Sequence, residues 1–325
     1  MAKTITKNVC ARKKTKNGGG FGYYLKGNWQ LYLFLLPAFA FFLVFSYYPM
    51  LGIQIAFKDW NPNLGMWGSP WATSDDGRLQ LLKYFSKIFS DEHVLVTLTN
   101  TLRLSSLRLL FGFFPPIIMV ILMNEMRAPR LKKTIQTLTY LPHFVSWIII
   151  AGILQSLTQT GGTLQQIFKG VFGKELQFFG DSDLFIVMLI VSDIWKEAGW
   201  GTIIYLASIN GINPSVEEAA LIDGAGRWQR IVHVIMPGIL PAVSINLIFA
   251  CSGLIYGGFD QVYNMYNSAV YPKADIMETY LYRIGVSSGN YSLSTAMSLF
   301  NSTVSFLLML LANKIIGKLG GSTVW

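Results

Sequence analysis

Residues 216–241 read VEEAALIDGAGRWQRIVHVIMPGILP, and their types describe a surface built to be touched rather than a group built to react. Glu217 and Glu218 open the segment, Ala219 and Ala220 keep its girth small, and Asp223 and Gly224 mark a bend. Pro214 and Ser215 stand at a helix start, with Glu218 at capping-box spacing from Ser215. Negative charge in a first turn suits the helix dipole. Gly224 permits a backbone conformation that a Cβ hinders. Beyond it Trp228, Ile231, Val232 and Ile235 recur at three- and four-residue spacing, while Arg227, Arg230 and His233 occupy other positions. Pro237 and Pro241 follow. The expected structure is a thin exposed helix, a bend and a second, amphipathic helix.

A second constellation is Asp193, Lys196 and Glu197, set among apolar residues. Their i, i+3 and i, i+4 spacing puts all three near one helix face, where Lys196 can pair with either carboxylate. A central charge in a membrane helix costs about 2.5–3.5 kcal/mol on insertion scales, so such a group serves a purpose. Two readings stay open: a structural cluster sealed between helices, or a cavity wall that hydrogen-bonds hydroxyl groups. Trp195 and Trp200 offer aromatic faces beside it, and Asn246, Ser252 and Tyr256 give a later apolar stretch a polar sequence that suits interhelical hydrogen bonding or a sugar path. Arg103 and Arg108 could face an acidic sugar, or Arg103 could snorkel to the surface.

Other chemistry finds no support. There is no G-x-x-x-x-G-K-[ST] sequence for phosphates. The three histidines, His93, His143 and His233, are scattered, and Cys10 and Cys251 lie in a basic tail and an apolar segment, which gives neither metal spacing nor a disulfide. The residues before Cys10 lack the apolar leader of a lipidation site.

The elements that position these residues follow from composition. Of 325 residues, 52% are hydrophobic and 13% charged, and the bilayer is the natural solvent for such a chain. Six apolar stretches are long enough to cross, near 29–51, 94–123, 135–157, 184–209, 239–259 and 293–316, and backbone groups in lipid require them to be helices. The apolar run after the basic tail is too long for a signal peptide and has no cleavage site, so it reads as a retained span. With the N-terminus inside, the cytoplasmic parts hold about 15 Lys and Arg against about 4 acidic residues, and the outside parts about 8 against 11, a positive-inside pattern. Both termini are therefore expected in the cytoplasm, and the net charge of +9 faces anionic lipid rather than nucleic acid. The expected divisions are a tail, 1–28, and a transmembrane domain, 29–325, with a cytoplasmic loop at 210–238.

Several stretches are interrupted, by Pro115 and Pro116, by Pro142 and by Gly257–Gly258. Broken helices occur beside cavities and also for plain packing reasons. The outside segments are rich in Trp and Tyr, as an interfacial belt or as a docking or sugar-stacking surface.

The loop resembles the EAA loop of ABC importer membrane subunits, commonly E-A-A, three residues, G, nine residues, I-x-L-P. Glu218, Ala219, Ala220, Gly224 and Pro237 match at that spacing, with Val234 and Met236 as apolar replacements. The phrases NTLRLS (100–105), QTLTYLPHFVSW (136–147), IWKEAGWGTIIYLA (194–207) and FDQVYNMYNSAVY (259–271) are similar to the permease subgroup named for lipoproteins and complex polysaccharides. The external WATSDDGRLQLL departs from the shorter form expected. The resemblance implies an all-α, six-span, type I importer permease in the prokaryotic cytoplasmic (inner) membrane, moving an oligosaccharide delivered by an extracellular or periplasmic binding protein. It implies a cytoplasmic ATPase dimer carrying the ATP and Mg, a second homologous permease, and no cofactor on this chain. It makes Glu217, Glu218, Ala219, Ala220, Asp223, Gly224, Arg227 and Pro237 the ATPase-coupling residues. An ion-gradient transporter or channel using Asp193 and Glu197 is the alternative, and it leaves the loop unexplained.

Overall fold

A computed structural model describes residues 27–173 and 175–325, so the basic tail with Cys10 lies largely outside the described residues. The chain divides into two units, Met1–Ile53 and Gln54–Trp325. In the first, helix α1 (Trp29–Phe42) continues through a π-turn at Leu43–Tyr47 and a turn at Tyr48–Met50. The whole apolar run, Trp29–Phe57, is long enough to cross a membrane.

The second unit opens with an irregular segment organised around Asp59. Its carboxylate accepts hydrogen bonds from Lys83 Nζ (2.8 Å), the Tyr84 hydroxyl (2.6 Å) and the Thr73 amide (3.1 Å). Burial alone would raise the Asp59 pKa, but these donors prevail and hold it below the usual carboxylate value, while burial and Asp59 push Tyr84 up to about 12. The helices that follow are α2 (Lys83–Ser90), α3 (Glu92–Gly112), α4 (Phe114–Asn124), α5 (Pro129–Tyr140), α6 (Trp147–Thr158), α7 (Thr163–Phe172) and α8 (Ser182–Asn210). Then come α9 (Pro214–Ile222), α10 (Arg227–Arg230), α11 (Met236–Ser252), α12 (Phe259–Met265), α13 (Met277–Tyr282) and α14 (Tyr291–Lys318). Among the described residues the only β pairing is two isolated bridges.

Four helical runs are long and apolar enough to cross: Trp29–Phe57, Glu92–Asn124, Arg227–Ile255 and Tyr291–Lys318. A fifth exists if Pro129–Phe144 and Trp147–Thr158, bent by 97°, form one broken span. The bend has a sequence cause. Pro142 ends α5 in a 3-10 turn, Leu141–Phe144, and Ser146 restarts the chain as the N-cap of α6. Pro115 and Pro116 act more mildly, because they fall in the first turn of α4, where a missing N–H breaks no bond. α8 has the length, 29 residues, but carries Asp193, Lys196 and Glu197.

α8 organises the second unit. Its buried residues Phe185, Leu189, Ser192, Lys196, Gly199, Thr202, Tyr205 and Ile209 step by three or four, one continuous face. One end joins a core with Leu104, Ala151, Val262, Met265 and Ile276, and the other joins Ile117, Val120, Ile235 and Ile239. Between them, at Gly199, α8 touches the backbone of α5: a Cβ there would lie 2.0 Å from the Thr139 carbonyl oxygen. No rotamer relieves that clash, since backbone must move. Gly199→Val is therefore expected to reduce the amount of folded protein in the membrane several-fold, a loss of about 1–3 kcal/mol or more from overpacking. Quantifying membrane-inserted protein against Gly152→Val, whose Cβ would meet nothing within 4 Å, checks this.

Candidate functional site

The segment 210–238 folds as two helices joined at Gly224, but its cap lies elsewhere than the sequence indicates. Asn213, not Ser215, is the N-cap of α9: its side chain accepts from the Ser215 amide at 3.1 Å, and Pro214 takes the first helical position. Asn and Ser cap about equally well, and the fixed φ of Pro214 selects the earlier start. α9 ends at Ile222, and Gly224 has φ of +78°, the left-handed region that favours glycine. The second helix is no separate element. α10 passes through a π-turn at Ile231–Ile235 into α11, so Arg227–Ile255 is one run and Pro237 sits in the first turn of α11.

Around the bend the surface is apolar and open. Ile222 is 87% and Trp228 74% exposed, with Leu221 and Val216 about half exposed, and Glu218, Ala219 and Asp223 lie at the surface too. Glu217 and Ala220 are half-buried. The inner side of α9 is braced by Arg230, whose side chain is largely buried. It reaches Glu217 at 3.4 Å and Glu125, at the end of α4, at 3.8 Å, while Arg227 approaches Glu125 at 3.9 Å. One guanidinium thus ties the loop helix to the end of α4.

The charged residues of α8 separate, although their spacing suggests one cluster. Lys196, 5% exposed, donates to the His143 carbonyl (2.5 Å) and pairs with Glu197 (3.2 Å), not with Asp193. Glu197 also meets His143 Nδ1 at 2.7 Å, and the imidazole stacks on Trp200 with centroids 4.2 Å apart. His143 belongs to the 3-10 turn at Pro142, so this network joins α8 to the kink. Helical spacing could not reveal it, because the partner comes from another element.

Asp193 faces a different place, a cavity of about 290 Å³ that also involves Ser105, Arg108 and Tyr256. Arg108 donates to the Gly257 carbonyl and to Gln261 Oε1, and its Nε has no partner among the described residues. Ser105 donates to the Tyr256 carbonyl at 2.7 Å. Arg103 instead pairs with Asp183 at 3.2 Å on the exposed side. Trp195 borders a separate, largely apolar cavity lined by residues of α6, α7 and α8. Asn246 lies beside Tyr205, and Ser252 donates to the Phe249 carbonyl at 2.7 Å within its own helix. The structure therefore brings Asp193 and Tyr256 together, with Arg108 and Ser105, and leaves Trp195, Asn246 and Ser252 elsewhere. An arginine inside an apolar stretch is the signal that marks Arg108 in the sequence.

If Arg230 positions α9, Arg230→Gln removes the partner of Glu217 and leaves Glu125 with Arg227 alone, at 3.9 Å. That change is expected to increase proteolytic cleavage at residues 223–226 by about fivefold, the effect of a partly buried pair worth on the order of 1 kcal/mol. Arg230→Lys is expected to recover part of the protection, and cleavage equal to wild type in both variants would contradict the brace.

Comparison with known proteins accords with this geometry. Residues 116–319 match the family described as binding-protein-dependent transport system inner membrane component. The chain is 41% identical to Protein LplB of Bacillus subtilis over 295 residues, 90% of each chain. It is 38% identical to the polygalacturonan/rhamnogalacturonan transport system permease protein YteP of the same organism, over 91% of this chain and 90% of that one. A crystal structure of a bacterial alginate ABC transporter, in complex with an alginate pentasaccharide-bound periplasmic protein, superposes with a TM-score of 0.83 at 33% identity, over 94% of this chain and 99% of that one. The chain belongs to the inner-membrane components of binding-protein-dependent transport systems: it is the multi-pass permease subunit of an ABC importer, with ATP hydrolysis assigned to a separate subunit.

Proposed function

We propose that this permease imports an oligosaccharide, delivered by an extracellular binding protein, and that α9 is the helix through which the ATPase drives it. The observation that carries the coupling role is the exposed face of Val216, Leu221, Ile222 and Trp228 around the Gly224 bend. Apolar residues so exposed on a small-residue helix await a partner. Glu217, Glu218, Ala219, Ala220, Asp223, Gly224, Arg227 and Pro237 form the docking loop, and a cytoplasmic ATPase dimer is its partner. A second homologous permease completes the pathway. The oligosaccharide reading rests on the likeness to YteP and to the alginate transporter.

Six spans with both termini in the cytoplasm fit this role. They comprise the four apolar runs, the bent pair, and α8, whose 29 residues extend about 43 Å at 1.5 Å per residue. Residues 1–28 form the cytoplasmic tail, 29–325 the transmembrane domain and 210–238 the coupling loop. Force reaches the spans by two routes. α10 runs without a break into α11, so a shift of the loop is a shift of that helix. Arg230 carries the same shift to Glu125 and α4. A loop bound equally well in both ATPase states would transmit nothing, so docking must differ between them.

Proteoliposomes holding the complete system test both claims. ATP-dependent uptake of labelled galacturonan, rhamnogalacturonan or alginate oligosaccharides is expected for wild type, and uptake of none would overturn the substrate class. Gly224→Val is expected to lower uptake about tenfold at unchanged insertion, since a β-branched residue at φ of +78° costs about 1–2 kcal/mol. A Cβ there meets nothing within 4 Å, so the effect isolates the bend. Normal uptake by this variant would contradict coupling through α9.

A further inference from the structure

A third cavity, of about 370 Å³, lies between α13, the π-turn at Arg283–Ser287 and α14. Its two walls differ in chemistry. One is aromatic, with Tyr256, Phe259 and Tyr282; the Phe259 and Tyr282 rings are 5.6 Å apart. The other is a polar stripe on α14, Ser294, Ser298 and Asn301, spaced by four and three residues so that all face one way. Asn301 is 3% exposed, yet its Oδ1 has no hydrogen-bond partner among the described residues. Glu278 lines the same cavity. The backbone amides of residues 257–259 lie near its carboxylate, but Oε2 completes no hydrogen bond.

Buried acceptors left without donors cost about 1–3 kcal/mol each, and native proteins retain few of them without a reason. A ligand that supplies hydroxyl donors on one edge and an apolar C–H face on the other satisfies both walls at once. A pyranose ring has that shape, and the cavity is of ligand-binding size. Charge narrows the class further. Glu278 is the one carboxyl group among the residues that line this cavity, and no Lys or Arg lines it to offset the charge. An additional carboxylate is unwelcome there.

We propose that this cavity is a sugar subsite of the permease, holding one uncharged pyranose ring through hydroxyl groups donated to Asn301 and Glu278. The proposal rests on the oligosaccharide reading for its biological meaning, but not for its test. It implies that a chain mixing neutral and acidic rings passes with a neutral ring at α14.

Saturation-transfer NMR on the membrane complex in nanodiscs, without binding protein, measures the subsite directly. The probes are methyl α-rhamnopyranoside and methyl α-galactopyranosiduronate. Wild type is expected to transfer saturation to the neutral glycoside. Ser298→Leu, a substitution at an exposed position of α14, and Asn301→Leu are each expected to weaken binding about fivefold, the loss of a hydrogen bond or two. Glu278→Gln is expected to admit the uronide that wild type rejects. Absence of transfer in wild type, or transfer as strong as wild type in both leucine variants, overturns the subsite whatever the uptake assays give. Transfer that disappears in both variants sustains it even if the transported oligosaccharide proves to be of another kind.

Discussion

Lys196 is buried in the middle of a 29-residue helix, and a buried ammonium must be satisfied where it stands. Its partners are the His143 carbonyl and Glu197, and the Trp147 ring lies 5.6 Å away. His143 and Trp147 lie on either side of the 97° bend between α5 and α6. The lysine therefore fixes the kink against α8, and Gly199, one turn on, brings α5 into backbone contact. With these two contacts set, the remaining face of α8 decides where the two apolar cores form. Asp193 is then left on the side of Arg108 and Tyr256, where a polar cavity can exist without exposing the Lys196 network.

The loop at the other end of α8 obeys a different constraint. In the proposed coupling role α9 has to be held firmly enough to push and left bare enough to be gripped. Arg230 braces it on one side, and Leu221 and Ile222 are exposed. The left-handed Gly224 lets the two faces coexist in so short a segment. Because α10 and α11 are continuous, the loop is the end of a span rather than a tether between spans, which gives displacement at the loop a direct path inward.

Much of this is legible in the residues themselves. The apolar stretches, the bend at Gly224 and the break at Pro142 depend on local chemistry, and the structure shows the helices and turns that chemistry indicates. The partnerships were not legible. Spacing alone allows Lys196 to bind Asp193, but His143, more than fifty residues away in sequence, decides that Glu197 is the partner. Asn213 took the cap from Ser215 because Pro214 fixes the preceding backbone. The Ser294, Ser298 and Asn301 stripe has helical spacing, yet only the position of α13 and the following π-turn shows that it faces a cavity.

The most direct measurement is maleimide labelling of Ala219→Cys in a background with Cys10 and Cys251 replaced by serine. Ala219 is exposed at the surface of α9. Docking requires rapid labelling of the permease alone, protection once the ATPase assembles, and a difference in protection between ATP-bound and nucleotide-free complexes. Equal labelling in all three states would mean that the ATPase does not grip α9, and the coupling role would have to be given up.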